Sequence, residues 1–472
     1  MEIREDERLR GLIMKHFMEP QSVAIIGISR RSGPGSYNLM ENMLEYGYEC
    51  KIFPINPNAE EILGVKAYPN VKDVGQEIDL AIISLPRDLV VKSVNQCIDA
   101  GAKAIIVVTQ GFADADAKGK ELQQEMVNAA THNGVRILGP NTLGVVNNFN
   151  RFTTSFMPLV REKAPVGLIC QSGVFFVGVA VFSGQIGKGI DIGNACDIGF
   201  CEALEYMGDD PDIKIIAIHM EGLEQTRRFL SLARRVAKEK PVVVFKTGQS
   251  EAGAKAAASH SGAMAGHYQI HKAALKQAGL LFLDKDGQMG DAVRVLLHQP
   301  YMRGSRIAVI TPTGAGGIMA SDALEKYGLK LASLSEKSIS RIANLSPEWM
   351  PLGNPLDLWP AIMGHGLKDV YAEAIEVVME DPNVDGILCL AIAPELPDFA
   401  FLDASEDVNK VVPEERQKPV VAWIYGPNVK EIGERFEKEK KVTVFQTIEK
   451  AAWSLSLLRD RQLFIERAER EG

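Results

Sequence analysis

A chain of 472 residues exceeds one ordinary core of about 100 to 200 residues, so two or three domains are expected. Its composition of 46% hydrophobic, 24% charged and 7% aromatic residues is that of a soluble globular protein and excludes disordered and fibrous classes. With 61 acidic against 52 basic residues the net charge is −9 and the basic residues are scattered, which leaves no footprint for nucleic acid.

The first residues, MEIREDERLRGLIMKHF, are charged from the second position and lack the apolar core of a signal peptide. No stretch approaches the roughly 18 unbroken apolar residues of a membrane span, so no membrane is expected and the cytoplasm is the expected location. Cys50, Cys97, Cys170, Cys196, Cys201 and Cys389 show no paired CxxC spacing, which predicts neither a metal site nor a disulfide framework.

In chain order, SVAIIGI meets the turn-rich SRRSGPGSYN and then the helical pattern LMENMLEYG. The same order of strand, loop and helix returns from CKIFPINP, DLAIISLP and AKAIIVVTQGF. Apolar strands alternating with amphipathic helices predict a parallel sheet covered on both faces, a Rossmann-type domain over residues 1–150. A second round begins at APVGLICQSG and continues through IKIIAIHMEG and PVVVFKTG, which predicts a domain over 151–300. A third starts at SRIAVITPTGAGG, with DGILCLAIAP and KPVVAWIYG as further strands, over 301–472. The expected class is therefore α/β with three parallel-sheet domains.

Ligands of doubly wound sheets sit beyond the carboxyl ends of strands. The loop from Gly27 through Ser29, Arg30, Arg31 and Ser32 offers close backbone approach, hydroxyls and two guanidinium groups before a helix N-terminus, which suits a phosphate-bearing nucleotide. Its spacing departs from GxGxxG, and Pro54-Ile55-Asn56-Pro57 supplies no ribose-binding acid, which disfavours a nicotinamide cofactor. Ser84-Leu85-Pro86 and Thr109-Gln110-Gly111 end the next two strands and line the same expected groove.

The segment Ser259-His260-Ser261-Gly262 surrounds one imidazole with small residues. A partly unprotonated imidazole is a nucleophile toward phosphorus, although a histidine in a helix-start loop is the bland alternative. Glu221, at a strand's carboxyl end, is placed to fix the imidazole tautomer by hydrogen bonding. Ser172-Gly173 and Gly314–Gly317 lie between a strand and a helical pattern, where backbone N–H groups hold phosphate or simply turn the chain. His219 is expected to pack in the core, and His267 and His271 to lie on a helix surface. No Walker A sequence occurs.

In order, VAIIGIS, FPINPNAEEILGVKAYPNV, VVTQGFAD, ILGPNTLGVVN, CQSG, EALEYMGDDPDIK, MEGL, ASHSGAMAG and NPLDL resemble the α subunits of ADP-forming acyl-CoA synthetases and, more distantly, of succinyl-CoA synthetase. The resemblance implies a CoA-binding domain followed by two flavodoxin-like ligase domains. It implies His260 as the phosphorylated residue, Glu221 as its orienting carboxylate, and Ser172-Gly173 as the holder of phosphate and acyl phosphate. Gly27, Ser29 to Ser32, Asn56, Ser84, Pro86, Thr109 and Gln110 fall in the CoA site that the resemblance implies. A small carboxylic acid, phosphate and CoA are the implied substrates, with ATP or ADP and Mg²⁺ held by a separate ATP-grasp β subunit. Pro34 stands where many relatives carry Lys, Thr142 where Cys is usual, and Val174-Phe175-Phe176 is bulkier than the common Ala-Leu, which bears on the size of the acyl pocket. A non-catalytic CoA-binding regulatory or scaffold protein is the alternative that retention of His260 and Glu221 opposes.

Overall fold

The computed structural model describes residues 13–33, 35–157, 161–261 and 268–471, without the side chains of 258–261. Pro34 and the histidine at 267 lie outside the described residues. The chain divides into two compact units, Met1–Gly290 and Asp291–Gly472.

The first unit holds two sheets. One contains β1 (Ser22–Ile26), β2 (Lys51–Ile55), β5 (Leu80–Ile83), β6 (Ala104–Val107) and β7 (Arg136–Leu138) in the order β2-β1-β5-β6-β7. Every pairing is parallel. Nearly every side chain of these strands is buried, as a sheet covered on both faces requires. A small antiparallel hairpin, β3 (Glu61–Ile62) with β4 (Val65–Lys66), follows β2.

The second sheet comprises β8 (Gly144–Asn147), β9 (Phe152–Thr153), β10 (Val166–Cys170), β11 (Lys188–Asp191), β12 (Ile215–Met220), β13 (Val242–Lys246) and β14 (Leu281–Leu283). Its order is β14-β13-β12-β10-β11-β8-β9, parallel from β14 to β11 and antiparallel at β8 and β9. The antiparallel edge does not follow from the strand-loop-helix reading, because strands of four and two residues joined by a tight turn carry no helical crossover. One apolar cluster runs continuously from Phe17, in the helical segment before β1, and Ile25 of the first sheet to Ile169, Ile218 and Phe282 of the second.

The second unit contains β15 (Arg306–Thr311), β16 (Lys330–Leu331), β17 (Leu356–Asp357), β18 (Gly386–Ile392), β19 (Val420–Tyr425) and β20 (Thr443–Phe445). The parallel path β16-β15-β18-β19-β20 carries β17 beside β15. Its own core gathers Ile310, Tyr371, Leu356 and Phe436.

In each sheet the chain reverses direction at an inner strand: at β1, β10 and β15, whose two neighbours are reached by opposite crossings. That reversal opens a crevice beyond the carboxyl ends of adjacent strands. The crevices therefore face Gly27 and Ser84 in the first sheet, and Gln171 to Gly173 and Glu221 in the second.

Candidate active site

At the first crevice the chain leaves β1 through Gly27, whose φ of +84° belongs to the left-handed region. A Cβ there would stand 2.4 Å from the Ser84 carbonyl oxygen, so only hydrogen fits between the β1 and β5 ends. Asn38 caps the helix Leu39–Tyr46 by accepting from the N–H groups of Met40 and Glu41. Its amide also donates to the carbonyls of Ser29 and Arg31, which fixes the loop on the helix N-terminus. Asn56 donates to the Ile28 carbonyl at 2.9 Å, and Arg30 reaches the Asn58 carbonyl at 3.2 Å. The Thr109 hydroxyl donates to the Leu85 carbonyl at 2.6 Å.

Of the residues singled out in sequence, Gly27 and Asn56 line a cavity of about 500 Å³. Ser29, Arg30, Arg31, Ser32, Ser84, Pro86, Thr109 and Gln110 stand at neighbouring loop ends but do not form its walls. Leu89, Lys92, Ser93 and Gln96 from the helix Arg87–Asp99 close one side. Sequence reasoning missed them, although their spacing of three and four marks one helical face. Lys92 is exposed and adds a cation to a wall whose other side chains are neutral.

The second crevice is tied across its strand ends. The Gln171 side-chain oxygen accepts from the N–H groups of Glu221 at 2.8 Å and Gly222 at 3.0 Å, locking the β10 exit to the β12 exit. Ser172 precedes the short helix Gly173–Val177 in extended conformation and spends no side-chain hydrogen bond on capping it. Lys246, the last residue of β13, donates to the Glu221 carbonyl at 2.8 Å and the Thr247 carbonyl at 3.0 Å. Burial pulls its ammonium below the usual lysine range, and the Glu221 carboxylate opposes that shift. Ser172, Gly173 and Glu221 are thus brought to one place, with Gln171 and Lys246 as the missed connectors.

Asp191 ends β11 fully enclosed, accepting from the N–H groups of Leu143 at 2.8 Å and Gly193 at 3.3 Å. Desolvation pushes its carboxyl up to about 6 despite those donors, and the Glu221 charge adds to the rise. Thr142 donates its hydroxyl to the Asp191 carbonyl. The residue that replaces the usual Cys therefore braces the turn before β8.

His260 belongs to the helix Glu251–Ser261, which follows β13 after Thr247–Ser250. Its side chain lies outside the described residues. The helix starts at the mouth of the second crevice, and at 1.5 Å per residue its rise carries position 260 about 14 Å beyond Glu251.

Phe175 and Phe176 point inward. Phe175 stacks on His219 at 3.8 Å between ring centroids and also packs near Phe182 and Phe245, and Phe176 is fully buried. Phe175 and Phe176 thus fill the core, while Val174 is exposed. His219 is a core residue as expected, with neither ring nitrogen hydrogen-bonded among the described residues. His271, expected on the surface, is instead half-buried in the helix Tyr268–Gln277, with Nδ1 enclosed. The glycines of Gly314–Gly317 have a packing reason: a Cβ on Gly316 would meet Leu390 at 2.6 Å, and one on Gly317 would meet Pro355 at 3.0 Å.

His219 gives a pH signature. Burial holds its imidazole down to about 3, whereas an unfolded ring titrates near 6.5, so the unfolded chain binds the extra proton between those values. Stability from this group is complete above 6.5 and is lost as pH falls. Asp191, raised when folded, contributes with the opposite sign between about 4 and 6 and masks the trend in the wild type. The His219→Phe variant is therefore expected to gain up to about 2 kcal/mol on the wild type between pH 7 and pH 5. Urea unfolding of both proteins at the two pH values measures the difference; an unchanged difference contradicts the buried neutral ring.

A family model described as a CoA binding domain matches residues 21–148, and one described as a succinyl-CoA ligase like flavodoxin domain matches residues 163–296. The chain is 34% identical over 445 residues to the alpha subunit of acetate–CoA ligase (ADP-forming) II of Pyrococcus furiosus, covering 93% of this chain and 96% of that one. It is 36% identical over 397 residues to acetate–CoA ligase (ADP-forming) II of Archaeoglobus fulgidus, covering 82% of this chain but spanning only 58% of that protein. The solved dinucleotide-forming acetyl-coenzyme A synthetase 1 of Ca. Korarchaeum cryptofilum, in complex with phosphate and ADP, superposes with a TM-score of 0.86 at 30% identity, over 97% of this chain and 98% of that one. With both sheets of the first unit matched by name and nearly the whole chain matched to an alpha subunit, this protein belongs to the family of ADP-forming acetate–CoA ligase alpha subunits.

Proposed function

We propose that this chain is the CoA-binding, phosphoryl-carrying subunit of an ADP-forming acyl-CoA synthetase. The observation that carries the reading is the second crevice, where Ser172-Gly173, Glu221 and Lys246 meet at the root of the helix that bears His260. The three sheets act as three domains, with boundaries near residues 150 and 300: a CoA domain, a domain of phosphoryl chemistry and a companion. The cavity lined by Gly27 and Asn56 receives CoA, with Ser29 to Ser32, Ser84, Pro86, Thr109 and Gln110 at its approaches. The protein works in the cytoplasm.

In the forward direction phosphate attacks the acyl carbonyl of acyl-CoA, the C–S bond breaks, and CoA leaves with the thiolate proton balance closed by solvent. The acyl phosphate rests against Ser172-Gly173. A ring nitrogen of His260 then gives its lone pair to phosphorus, and the P–O bond breaks with its electron pair leaving on the carboxylate. Glu221 accepts a hydrogen bond from the other ring nitrogen, which keeps its proton and fixes the tautomer. The phosphoryl group passes from His260 to ADP, held with Mg²⁺ on an ATP-grasp β subunit.

The partner is supported by length. The matched stretch spans 96% of a relative named as an alpha subunit and 58% of one whose name carries no subunit label, so the longer protein has room for a further part beyond that stretch. The isolated chain is expected to bind CoA yet form no acyl-CoA from ATP, a carboxylic acid and CoA. Adding the β subunit restores turnover to an ordinary enzymatic rate, of order 1 to 1000 per second. Calorimetry with CoA and a coupled ADP assay on each preparation test this. Full turnover by the single chain contradicts the two-subunit reading.

A further inference from the structure

Lys246 is a buried cation with no carboxylate at ion-pair distance among the described residues, although the Glu221 charge acts on it from farther away. It is 5% exposed, its ammonium donates to two backbone carbonyls, and it makes no ion pair with a carboxylate among the described residues. An ammonium carries three protons, so one donor is left over. Other enclosed cations in the same unit are paired: buried Lys188 with Asp210, and half-buried Arg136 with Asp197 at 2.7 Å. Desolvating a charge is unfavourable, and two carbonyl dipoles and a carboxylate beyond contact distance offset only part of that cost.

Its surroundings indicate what is missing. Glu221 and Asp191 bring two carboxyl groups to the same strand ends, where an entering phosphate or acyl phosphate dianion meets repulsion. Gln171, Ser172 and Gly173 offer neutral groups only. The nearby imidazoles do not help: His219 is held neutral by burial, and burial, with the Lys246 charge adding to it, lowers His271. Among the described residues at the ends of β10, β12 and β13, Lys246 is the cation.

We propose that the Lys246 ammonium is the counter-charge for the phosphoryl group in this crevice, binding phosphate as it enters and neutralising the dianion as it passes between acyl phosphate and His260. The assignment rests on the function proposed above and adds a residue to it. Lys246 thus has two jobs: its carbonyl bonds hold the Glu221 backbone, and its third proton and charge face the phosphoryl oxygens. The bonds that form and break are those of the transfer already described, and the ammonium keeps its proton throughout.

Substitutions separate the two jobs. Lys246→Gln keeps an amide able to donate to both carbonyls but removes the charge; Lys246→Arg keeps a charge. With the partner subunit present, the reaction of acetyl-CoA, inorganic phosphate and ADP is followed while phosphate and acetyl-CoA are varied separately. Lys246→Gln is expected to raise the KM for phosphate at least tenfold while the KM for acetyl-CoA stays within twofold. Lys246→Arg is expected to keep the phosphate KM within about threefold of wild type. Methylammonium added to Lys246→Ala is expected to recover part of the lost rate. An unchanged phosphate KM in Lys246→Gln overturns the proposal, as does an equal loss in both KM values. If Gln, Arg and Ala variants all fail to fold, the residue is a structural tie and the proposal falls. A wild-type complex that consumes no phosphate with acetyl-CoA would instead refute the function on which it rests.

Discussion

The His260→Ala protein is expected to lose acyl-CoA synthesis by at least about a thousandfold, roughly 4 kcal/mol or more of transition-state stabilisation, while its CoA affinity stays within twofold. The split follows from the architecture. CoA is assigned to the crevice of the first sheet, at the Gly27 and Ser84 strand ends, whereas His260 rides on the helix that leaves the second sheet after β13. A covalent carrier has no substitute when its nucleophilic nitrogen is removed, because acyl phosphate and the nucleotide then share no intermediate. Steady-state assay with the partner subunit and CoA calorimetry on the same preparation check both halves. Retained synthesis would remove the carrier role, and parallel loss of CoA binding would mean that the substitution disturbed the fold.

Gly27→Val is expected to have the largest effect in the first crevice. The residue sits at φ +84°, where a β-branched side chain is strained, and its Cβ would press on the Ser84 carbonyl at 2.4 Å and on Leu85 at 2.7 Å. Left-handed strain of about 1–2 kcal/mol and overpacking of about 1–3 kcal/mol add to a destabilisation of roughly 2–5 kcal/mol. CoA affinity should fall at least tenfold, because the backbone at this point walls the cavity. Gly33→Ala is the control: its φ of +86° imposes similar strain, but nothing lies within 4 Å of the added carbon. Its cost should be limited to about 1–2 kcal/mol, with CoA binding nearly intact. Thermal unfolding and CoA titration of the two variants measure the contrast; equal losses would show that packing against Ser84 is not the cause.

The strands of the parallel sheets were legible because burial on both faces leaves near-continuous apolar runs such as Val23–Ile26, Ile82–Ile83 and Val242–Phe245. The same logic located the crevices, since the ends of those runs are where Gly27, Ser172 and Glu221 stand. What it missed depends on register and enclosure. Lys246 reads as an ordinary strand-end lysine until the pairing of Met220 with Lys246 brings it to the Glu221 carbonyl. Gln171 lies inside the recognised CQSG segment, yet its task of tying two strand exits requires β10 and β12 to be neighbours. Asp191 carries no local mark of burial, and its raised carboxyl comes from desolvation at the end of β11. The orientation of the Val174-Phe175-Phe176 segment was not legible, because side-chain size is visible in sequence and direction is not. Phe175 and Phe176 fill the core, while Val174 is exposed.

His260 is the proposed carrier of the phosphoryl group. The chain with the proposed β subunit, incubated with acetyl-CoA and radiolabelled inorganic phosphate without nucleotide, should take up label that is acid-labile and base-stable. Peptide mapping should place it on the fragment that holds Ser259-His260-Ser261, and unlabelled ADP should discharge it as ATP. Absence of label in an otherwise active complex, acid-stable label, or label persisting in the His260→Ala protein would contradict the account.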